Sequence, residues 1–285
     1  MPPKRVDPLQ FLTSATVAIV AGKGGVGKTT VTAVLARAAI RRGLRVLVIE
    51  LDGKATLGRL LPDATVLQLS ATAALAEYLD THGLSRVTKR LASTGIIDVV
   101  ATASPGIDDI VVLGKIKQLE QSGNHDLIVV DGPAAGHAIT FLLAAKSLLT
   151  SVRGGPVHTQ AVDVAAMLAD PARCQVVLVT LPETTPINEA VETAYALEDR
   201  VGVHLTPIVV NGVDAGPALQ PEAAPAGSPM ALAGEFRVAR RQLHEAACCD
   251  LGDMLGLPQL ILPNVPGSLL DAASVEHLAD EWNPA

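Results

Sequence analysis

Short apolar runs rich in valine and isoleucine recur along the chain and alternate with longer segments that carry helix signals. Continuous apolar runs are typical of strands in a parallel sheet that is covered on both faces. Seven runs predict strands: Val17–Val20, Val46–Ile49, Ile97–Val100, Leu127–Val130, Val176–Val179, Ile208–Val210 and Leu260–Leu262. The helix signals fall in Thr29–Arg42, Asp108–Gln121, Glu183–Arg200 and Glu235–Leu255. This alternation predicts an α/β fold with a doubly wound, mostly parallel sheet.

We expect residues 1–285 to form a single domain, because no internal repeat is visible and α/β chains of ~200–250 residues often fold as one unit. The segment 214–230 is rich in proline, alanine and glycine, which predicts a flexible loop inside the domain. The helix that follows carries Arg237, Arg240 and Arg241. Charge runs usually face water, so we interpret these arginines as a solvated helical face.

The charge balance changes which partners we expect. A formal net charge of −7, a pI near 5.5 and an aromatic share of 2% disfavour nucleic acid, whose binding needs a basic footprint. The most apolar stretch, His137–Val152, is interrupted by Lys146, and no uncharged run reaches the ~18 residues of a membrane-spanning helix. We therefore expect a chain without an integral membrane segment.

The cysteines and the first residues point to a reducing compartment. Cys174, Cys248 and Cys249 are odd in number and two of them are adjacent, so neither a disulfide framework nor a CxxC zinc site is available within one chain. The segment 1–13 has no apolar core of the kind found in secretory signals. Both features predict a cytoplasmic protein.

The strongest motif begins where the first predicted strand ends. The run AGKGGVGKTT contains GxxxxGK[ST] from Gly22 to Thr29. Its glycines let successive backbone N–H groups point at phosphate oxygens, and the following helix adds its positive end. Lys28 is expected to reach the β- and γ-phosphates, and the Thr29 hydroxyl to ligate Mg²⁺. The residues that form this cradle are Gly24, Gly25, Val26, Gly27, Lys28, Thr29 and Thr30.

The extra lysine in KGGVGKTT resembles the deviant Walker A motif of the ParA, MinD, nitrogenase iron protein and ArsA group, the SIMIBI class of P-loop NTPases. In that group the added lysine crosses a dimer interface and touches the phosphates bound by the other subunit. The resemblance implies this role, and with it a catalytic contribution, for Lys23. Without the resemblance, Lys23 is a cation that adds to the positive field of the loop.

An acidic residue, Asp52, follows the segment Arg45–Leu51, which contains the predicted strand Val46–Ile49. Asp52 stands at the carboxyl end of that strand, where open α/β sheets bind ligands, and a carboxylate there can orient an attacking water. ArsA-type proteins read Asp-Pro-Ala-His at the corresponding place, whereas this chain reads Asp52, Gly53, Lys54, Ala55. Asp52 is thus a candidate catalytic residue, and the alternative is an ordinary Asp-Gly turn.

The strand Leu127–Val130 ends in Asp131, which is the Walker B arrangement for holding Mg²⁺. The segment up to His137 resembles the Asp-Thr-Ala-Pro-Thr-Gly-His switch of ArsA and of the tail-anchored-protein targeting ATPase. Asp131, Gly136 and His137 match that pattern, while residues 132–135 depart from it. His137 either reports the nucleotide state or is a structural residue that opens a helix.

The resemblance also implies a base site. Asn211 falls where the group supplies an adenine-binding asparagine, and the segment with Pro263, Asn264 and Pro266 falls where a second adenine-contacting loop lies. An amide can pair with both the donor and the acceptor edge of adenine. The alternative for Asn211 is an Asn-Gly turn.

These residues predict an ArsA-like ATPase that binds Mg-ATP at a dimer interface and uses hydrolysis as a conformational switch. The dimer would be a homodimer or a heterodimer with a homologous chain, and the sequence does not identify the cargo. Two alternatives stay open: a non-hydrolysing regulatory subunit of such a heterodimer, and a ParA- or MinD-like positioning ATPase, which the acidic charge disfavours.

Overall fold

The computed structural model describes residues 10, 13–51, 53, 55–81, 106–217, 220, 224–265 and 270–282. Within them, seven strands form one parallel sheet in the order β3-β2-β4-β1-β5-β6-β7. The strands are β1 (Val17–Gly22), β2 (Val46–Glu50), β3 (Thr65–Gln68), β4 (Leu127–Ala134), β5 (Cys174–Thr180), β6 (Ile208–Val213) and β7 (Gln259–Pro263). The predicted α/β fold with a parallel sheet is confirmed.

Helices cover both faces of this sheet. Their bounds are α1 (Lys28–Arg41), α2 (Thr56–Leu60), α3 (Ala71–Thr81), α4 (Ile107–Gln121), α5 (Ala135–Ser151), α6 (Pro156–Ala169), α7 (Thr184–Ala196), α8 (Pro229–Met254) and α9 (Ala272–Glu281). A π-helical turn, Leu197–Val201, continues α7.

Alternate residues of β1 divide the apolar interior into two cores. Val17 and Ile19 pack into the core formed with α4, α5, α6, α7 and the end of α8. Ala18 and Val20 pack into the core formed with α1, α2 and α9. Because side chains alternate across a strand, a run that is apolar at every position suits a strand covered on both faces.

Six of the seven predicted strands are confirmed, and Ile97–Val100 lies outside the described residues. The apolar pattern does not predict β3, because this edge strand has exposed or half-buried residues throughout and needs no continuous apolar run. The pattern also does not predict α2, α3, α6 and α9. In three of these, α3, α6 and α9, small alanines are frequent and weaken the contrast between the two faces of the helix.

The segment before α8 is shorter than the predicted loop 214–230. α8 begins at Pro229, six residues before the predicted Glu235, so the end of the loop prediction is wrong at its last two residues. The Ser228 hydroxyl accepts a hydrogen bond from the Ala231 N–H over 3.2 Å and caps this start. Proline at the first helical position is favourable because it lacks only an N–H that no helical carbonyl would accept. The single-domain organisation stays a prediction.

The register of the central strands brings three carboxyl ends together. Val20 of β1 and Glu50 of β2 each lie opposite Asp131 of β4. Since all strands are parallel, the loop after β1 emerges at the same edge as Asp131. This edge holds the candidate site.

Candidate nucleotide-binding site

The loop between β1 and α1 has the backbone of a phosphate cradle. Gly25 and Gly27 have φ values of 87° and 91°, a region that side chains other than glycine rarely adopt. A Cβ on Gly22 would lie 2.5 Å from the Val179 carbonyl oxygen, so β5 also requires glycine at the start of the loop. The helix α1 begins at Lys28 with no acidic residue in its first turn. Its positive end is therefore available to an anion.

The two side chains expected to act on phosphate and metal lie where the motif predicts. The Lys28 ammonium donates a hydrogen bond to the Lys23 carbonyl oxygen over 3.2 Å. The Thr29 hydroxyl donates to Asp131 Oδ2 over 2.8 Å, which joins the phosphate loop to the end of β4.

One side chain of the site, that of Thr32, does not belong to the sequence motif. Thr32 is fully buried, and its hydroxyl donates to Asp131 Oδ1 over 3.3 Å. It follows Thr29 by three residues, the spacing that places two side chains on one face of a helix, and this is the signal that could have found it. Both oxygens of Asp131 thus have partners on α1.

Thr29 and Asp131 fit a magnesium ion. A hydroxyl and a carboxylate are the hard oxygen ligands that Mg²⁺ prefers, and Mg²⁺ usually keeps several waters and takes its remaining ligands from phosphate. Among the described residues no group of three or more His, Cys, Asp or Glu side chains forms a metal cage. The arrangement therefore suits a metal that enters together with a phosphate ligand.

The residue after Asp131 has a steric reason to be glycine. The pairing of β1 and β4 shifts register between Val20 and Gly22. A Cβ on Gly132 would lie 2.4 Å from the Val20 carbonyl oxygen. The departure from the family pattern at Gly132 therefore lets β4 approach β1 closely beside the phosphate loop.

Lys23 forms an ion pair that the motif does not predict. Its ammonium lies 2.6 Å from Glu189 Oε1 on α7, and the two side chains are 53% and 31% exposed. The exposure matters because a half-exposed ion pair is weak enough to exchange partners. Lys23 is thus held within its own chain in this structure.

Asn211 contacts the phosphate loop directly. Its Nδ2 donates to the Val26 carbonyl oxygen over 2.9 Å. A Cβ on Gly27 would lie 2.2 Å from the same Nδ2, so the glycine makes room for this amide. The asparagine at the end of β6 therefore supports the loop from the side of the strands.

The other predicted base residues line a neighbouring cavity. Pro263 and Asn264 border a space of about 450 Å³ together with Asp214–Pro217, Arg237, Arg240, Val265, His277 and Glu281. The Asn264 N–H donates to the Val213 carbonyl oxygen over 2.9 Å, which fixes the end of β7 against β6. Pro266 lies outside the described residues.

Asp214 organises the wall of this cavity. It is buried, and its carboxylate accepts hydrogen bonds from Arg237 over 2.9 Å and from Arg240 over 3.1 Å. The Arg237 contact is the main reason that the pKa of Asp214 lies well below its usual range. The interpretation of these arginines as a merely solvated face is therefore wrong for Arg237 and Arg240, because both are used to hold Asp214.

Asp52 lies outside the described residues, so its catalytic role stays a prediction. Its neighbour Glu50 is buried and accepts hydrogen bonds from the Thr56 N–H over 3.0 Å and from the Gln68 side chain. Glu50 thus ties the start of α2 to β2 and β3. A carboxylate with these partners is poorly placed to replace Asp52 in orienting water.

His137 is exposed in the first turn of α5. Burial and the neighbouring Asp108 raise the pKa of Asp109 on α4, and the charge of His137 partly offsets this rise. His137 follows the Walker B strand in the chain, and a role in reporting the nucleotide state stays a prediction.

Comparison with known proteins identifies the domain. Residues 17–224 match the model of the CobQ/CobB/MinD/ParA nucleotide binding domain. The chain belongs to this family. The matched range contains β1 through β6, the phosphate loop and Asp131. The resemblance to the ArsA-like branch with a deviant Walker A motif is thereby confirmed at the level of the family.

Relatives extend the match. The chain is 31% identical over 206 residues to ATPase BagA of Mycobacterium tuberculosis, an alignment that covers 64% of this chain and 60% of BagA. It is 30% identical over 203 residues to an arsenical pump-driving ATPase of Escherichia coli, covering 67% of this chain and 33% of that protein. A Streptomyces coelicolor protein is 28% identical over 314 residues, covering 90% and 78%. Within the described residues, no helix has both the length and the apolar character needed to cross a membrane.

Proposed function

We propose that this chain is a cytoplasmic ATPase that binds Mg-ATP at a dimer interface and uses hydrolysis as a conformational switch. The observation that carries the proposal is the contact between Thr29 of the phosphate loop and Asp131 of the Walker B strand, 2.8 Å long. Together with the glycine cradle, this contact assembles the two halves of a nucleoside triphosphate site. The family match and relatives named as ATPases support hydrolysis.

Each residue has one task in this proposal. The N–H groups of Gly24 to Lys28 and the start of α1 bind the phosphates, and the Lys28 ammonium leaves the Lys23 carbonyl for the β- and γ-phosphates. Thr29 and Asp131 hold Mg²⁺, which supplies positive charge beside the phosphates. Thr30 completes the cradle.

Asp52 orients the attacking water in this proposal. β2 ends at Glu50, opposite Asp131, and Asp52 follows Glu50 by two residues in the chain, which supports this role. Lys23 and Lys28 stabilise the negative charge that develops on the transferred phosphoryl group. Glu50 remains a structural residue because its oxygens are occupied by α2 and β3.

Lys23 gives the dimer its link to nucleotide. In this structure its ammonium lies with Glu189 of the same chain, 2.6 Å away. A triphosphate in the site of a second subunit offers a more strongly charged partner, so Lys23 would exchange Glu189 for phosphate when two subunits close. Binding and assembly are then thermodynamically linked. The second subunit is another copy or a homologous chain.

The base site is proposed to take adenine. Asn211 lies against the loop, and Pro263 and Asn264, at the end of β7, border the cavity of about 450 Å³. Pro266 follows them in the sequence and is proposed to belong to the same site. The carboxamides of Asn211 and Asn264 can each offer a donor and an acceptor to a base edge.

The test separates binding from turnover. Asp52→Asn should retain Mg-ATP affinity within about threefold while turnover falls at least 100-fold, because the phosphate cradle is intact and the water-orienting charge is lost. Asp126→Asn, at the opposite edge of the sheet, is the matched control and should leave turnover unchanged. Normal turnover in Asp52→Asn would remove Asp52 from the mechanism.

A second candidate function is a nucleotide-binding subunit that does not hydrolyse ATP. The backbone after Asp52 favours it: Gly53 and Ala55 have φ values of 67° and 51°, and Ala55 is the one non-glycine residue with positive φ in the described part of the chain. This strain lies where the ArsA pattern has proline and histidine. Tight ATP binding with no turnover in the unmodified chain would select this function. A ParA-like alternative would instead show DNA binding at low salt.

A further inference from the structure

Helix α8 carries an exposed apolar row on the side that faces away from the domain. The α8 stripe consists of Leu232, Phe236, Ala239, Leu243 and Ala246. Leu232, Phe236 and Leu243 are 56%, 67% and 69% exposed. Of the seven large apolar side chains that are exposed in the described residues, five lie on α8, so the apolar surface is concentrated on this helix. Isolated exposed apolar residues are ordinary, but a contiguous row marks an interaction surface.

The opposite face of α8 is attached to the domain, which fixes the direction of the α8 stripe. Its buried residues are Ala231, Gly234, His244, Ala247 and Leu251. Asp214 holds Arg237 and Arg240, and the Arg241 guanidinium donates to the Gly216 carbonyl oxygen over 2.7 Å. The helix therefore cannot turn its apolar row inward without breaking these contacts.

The spacing of the α8 stripe is that of a helix–helix seam. Its members follow one another at intervals of four, three, four and three residues. This 3.5-residue repeat keeps a row on one side of a helix that packs against a second helix. A flat protein surface or a lipid surface does not require such a narrow seam.

Large and small side chains alternate so that the α8 stripe complements itself. In an antiparallel pair with its two-fold axis at Arg241, Phe236 lies opposite the partner's Ala246, and Leu243 lies opposite the partner's Ala239. Each of these two layers then holds one large and one small side chain, which packs well. Leu232, at the start of the stripe, lies beyond these layers and opposite the partner's Asp250. A parallel pair in register would place Phe236 opposite the partner's Phe236 and would leave gaps where alanine lies opposite alanine.

The charges of α8 favour the same direction. Arg237 and Arg240 lie before the two-fold axis at Arg241, whereas Glu245, Asp250 and Asp253 lie after it. Glu235 is the exception among the charged residues of the first half. An antiparallel pair sets the basic half beside the acidic half of the other helix, and a parallel pair sets like charges side by side.

From this pattern we propose that the α8 stripe docks a second copy of this chain, antiparallel and two-fold symmetric. A symmetric dimer needs one patch that complements itself, and the alternation of large and small side chains supplies it. The proposal goes beyond the proposed function, because this contact uses no nucleotide and holds whether or not ATP is hydrolysed. Its failure leaves the nucleotide site untouched.

The first experiment is sedimentation equilibrium of the full chain in EDTA without nucleotide. We expect the unmodified chain to dimerise and Phe236→Lys to raise the dimer dissociation constant at least tenfold, because a charge replaces the largest side chain of the seam. Val162→Lys is the matched control on α6, where an apolar side chain is 44% exposed away from α8, and should leave the constant unchanged. Thermal melting and ATP affinity, measured on each variant, verify that the chain is folded.

The second experiment tests the register. In the antiparallel arrangement residue 236 faces residue 246 of the other copy, so Ala246→Glu added to Phe236→Lys should restore part of the lost affinity, and more at low salt. A monomeric unmodified chain, or a dimer that ignores Phe236→Lys, overturns the proposal. Association only with a homologous chain, or binding of the apolar row to lipid vesicles instead, overturns it as well. Dimerisation without rescue by Ala246→Glu overturns the antiparallel register.

Discussion

Helices α1 and α8 are attached to the domain in different ways, although both begin near the end of the sheet that carries the candidate site. Nine of the 14 residues of α1 are buried, against five of the 26 residues of α8, so only α1 is enclosed by the domain. Alanine and valine supply six of the nine buried residues of α1 and let it lie close on the sheet. In contrast, α8 is attached along one side, partly by arginines that contact Asp214 and Gly216. The difference teaches that α1 serves the fold and the ligand together, while α8 keeps a surface for a partner.

The largest expected effect is on the ligand end of α1. Lys28→Ala should weaken Mg-ATP binding at least 100-fold, because it removes the charge that pairs with the phosphates. Isothermal titration calorimetry measures the affinity. Lys146→Ala, which removes a lysine from α5, is the control and should bind normally. Unchanged affinity in Lys28→Ala would contradict the assignment of the phosphate site.

The next effect concerns the attachment of α1. The Arg37 guanidinium is buried, contacts Asp63 at 2.5 Å and Glu276 of α9 at 2.7 Å, and so joins α1 to two other elements. Arg37→Met should lower the free energy of unfolding by about 2 kcal/mol, since two ion pairs and the hydrogen bonds to Asp63 are lost while the apolar stem is retained. Urea unfolding measures the change, and ATP affinity of the folded variant should stay normal. A loss of affinity without a loss of stability would contradict this purely structural role of Arg37.

Acid should loosen both helices, because each depends on an aspartate with a lowered pKa. The Arg37 hydrogen bond lowers the pKa of Asp63 to about 2, and Arg237 is the main cause of the low pKa of Asp214. A carboxyl whose pKa is lower in the folded state stabilises the fold above its unfolded pKa, near 4, and this contribution disappears as the pH falls toward 2. Thermal melting at pH 7, 4 and 3 should therefore show a falling melting temperature. Asp63→Asn and Asp214→Asn should each make that decline shallower, and an unaltered decline in both would refute the linkage.

The smallest effect is expected at Arg241 of α8. The Arg241 guanidinium lies 3.0 Å from the Glu245 carboxylate, and the two side chains are 38% and 63% exposed. Ion pairs that are this exposed contribute little to stability. Arg241→Met should change the free energy of unfolding by less than about 1 kcal/mol, most of it from the hydrogen bond to Gly216. The same urea titration compares it with Arg37→Met. Equal losses in the two variants would erase the contrast between the helices.

The sequence predicts the centre of the sheet better than its edge. β1, β4 and β5 each contain a run of at least four consecutive buried apolar residues because helices cover both of their faces, and this leaves a strong local signal. β3 pairs on one side only, so its residues need not be apolar. Patterns of hydrophobicity therefore find the strands that are enclosed and miss the strand that is not.

The same contrast holds within the site. Lys28, Thr29 and Asp131 belong to motifs whose spacing is dictated by phosphate and metal, so they are visible in the sequence. Thr32 and Glu189 join the site only through tertiary structure. Thr32 contacts Asp131 because β4 lies beside α1, and Glu189 contacts Lys23 from α7, which is distant in the sequence. The three-residue spacing from Thr29 points to Thr32 only after Thr29 has been assigned, and no local pattern marks Glu189. Asp52 stays a prediction.

The position of β1 in the middle of the sheet has a consequence for the synthesis of the chain. β1 is synthesised before β4 and β5, yet Val17 pairs with Ile128 on one side and with Cys174 on the other. The phosphate loop is therefore synthesised before the strands β4 and β5 that flank it. Until β4 has been made, the valine-rich strands β1 and β2 lack the strand that lies between them. Their unpaired backbone groups and apolar side chains can then bind chaperones or other nascent chains. A nucleotide can stabilise the site only after β4 and β5 have been made.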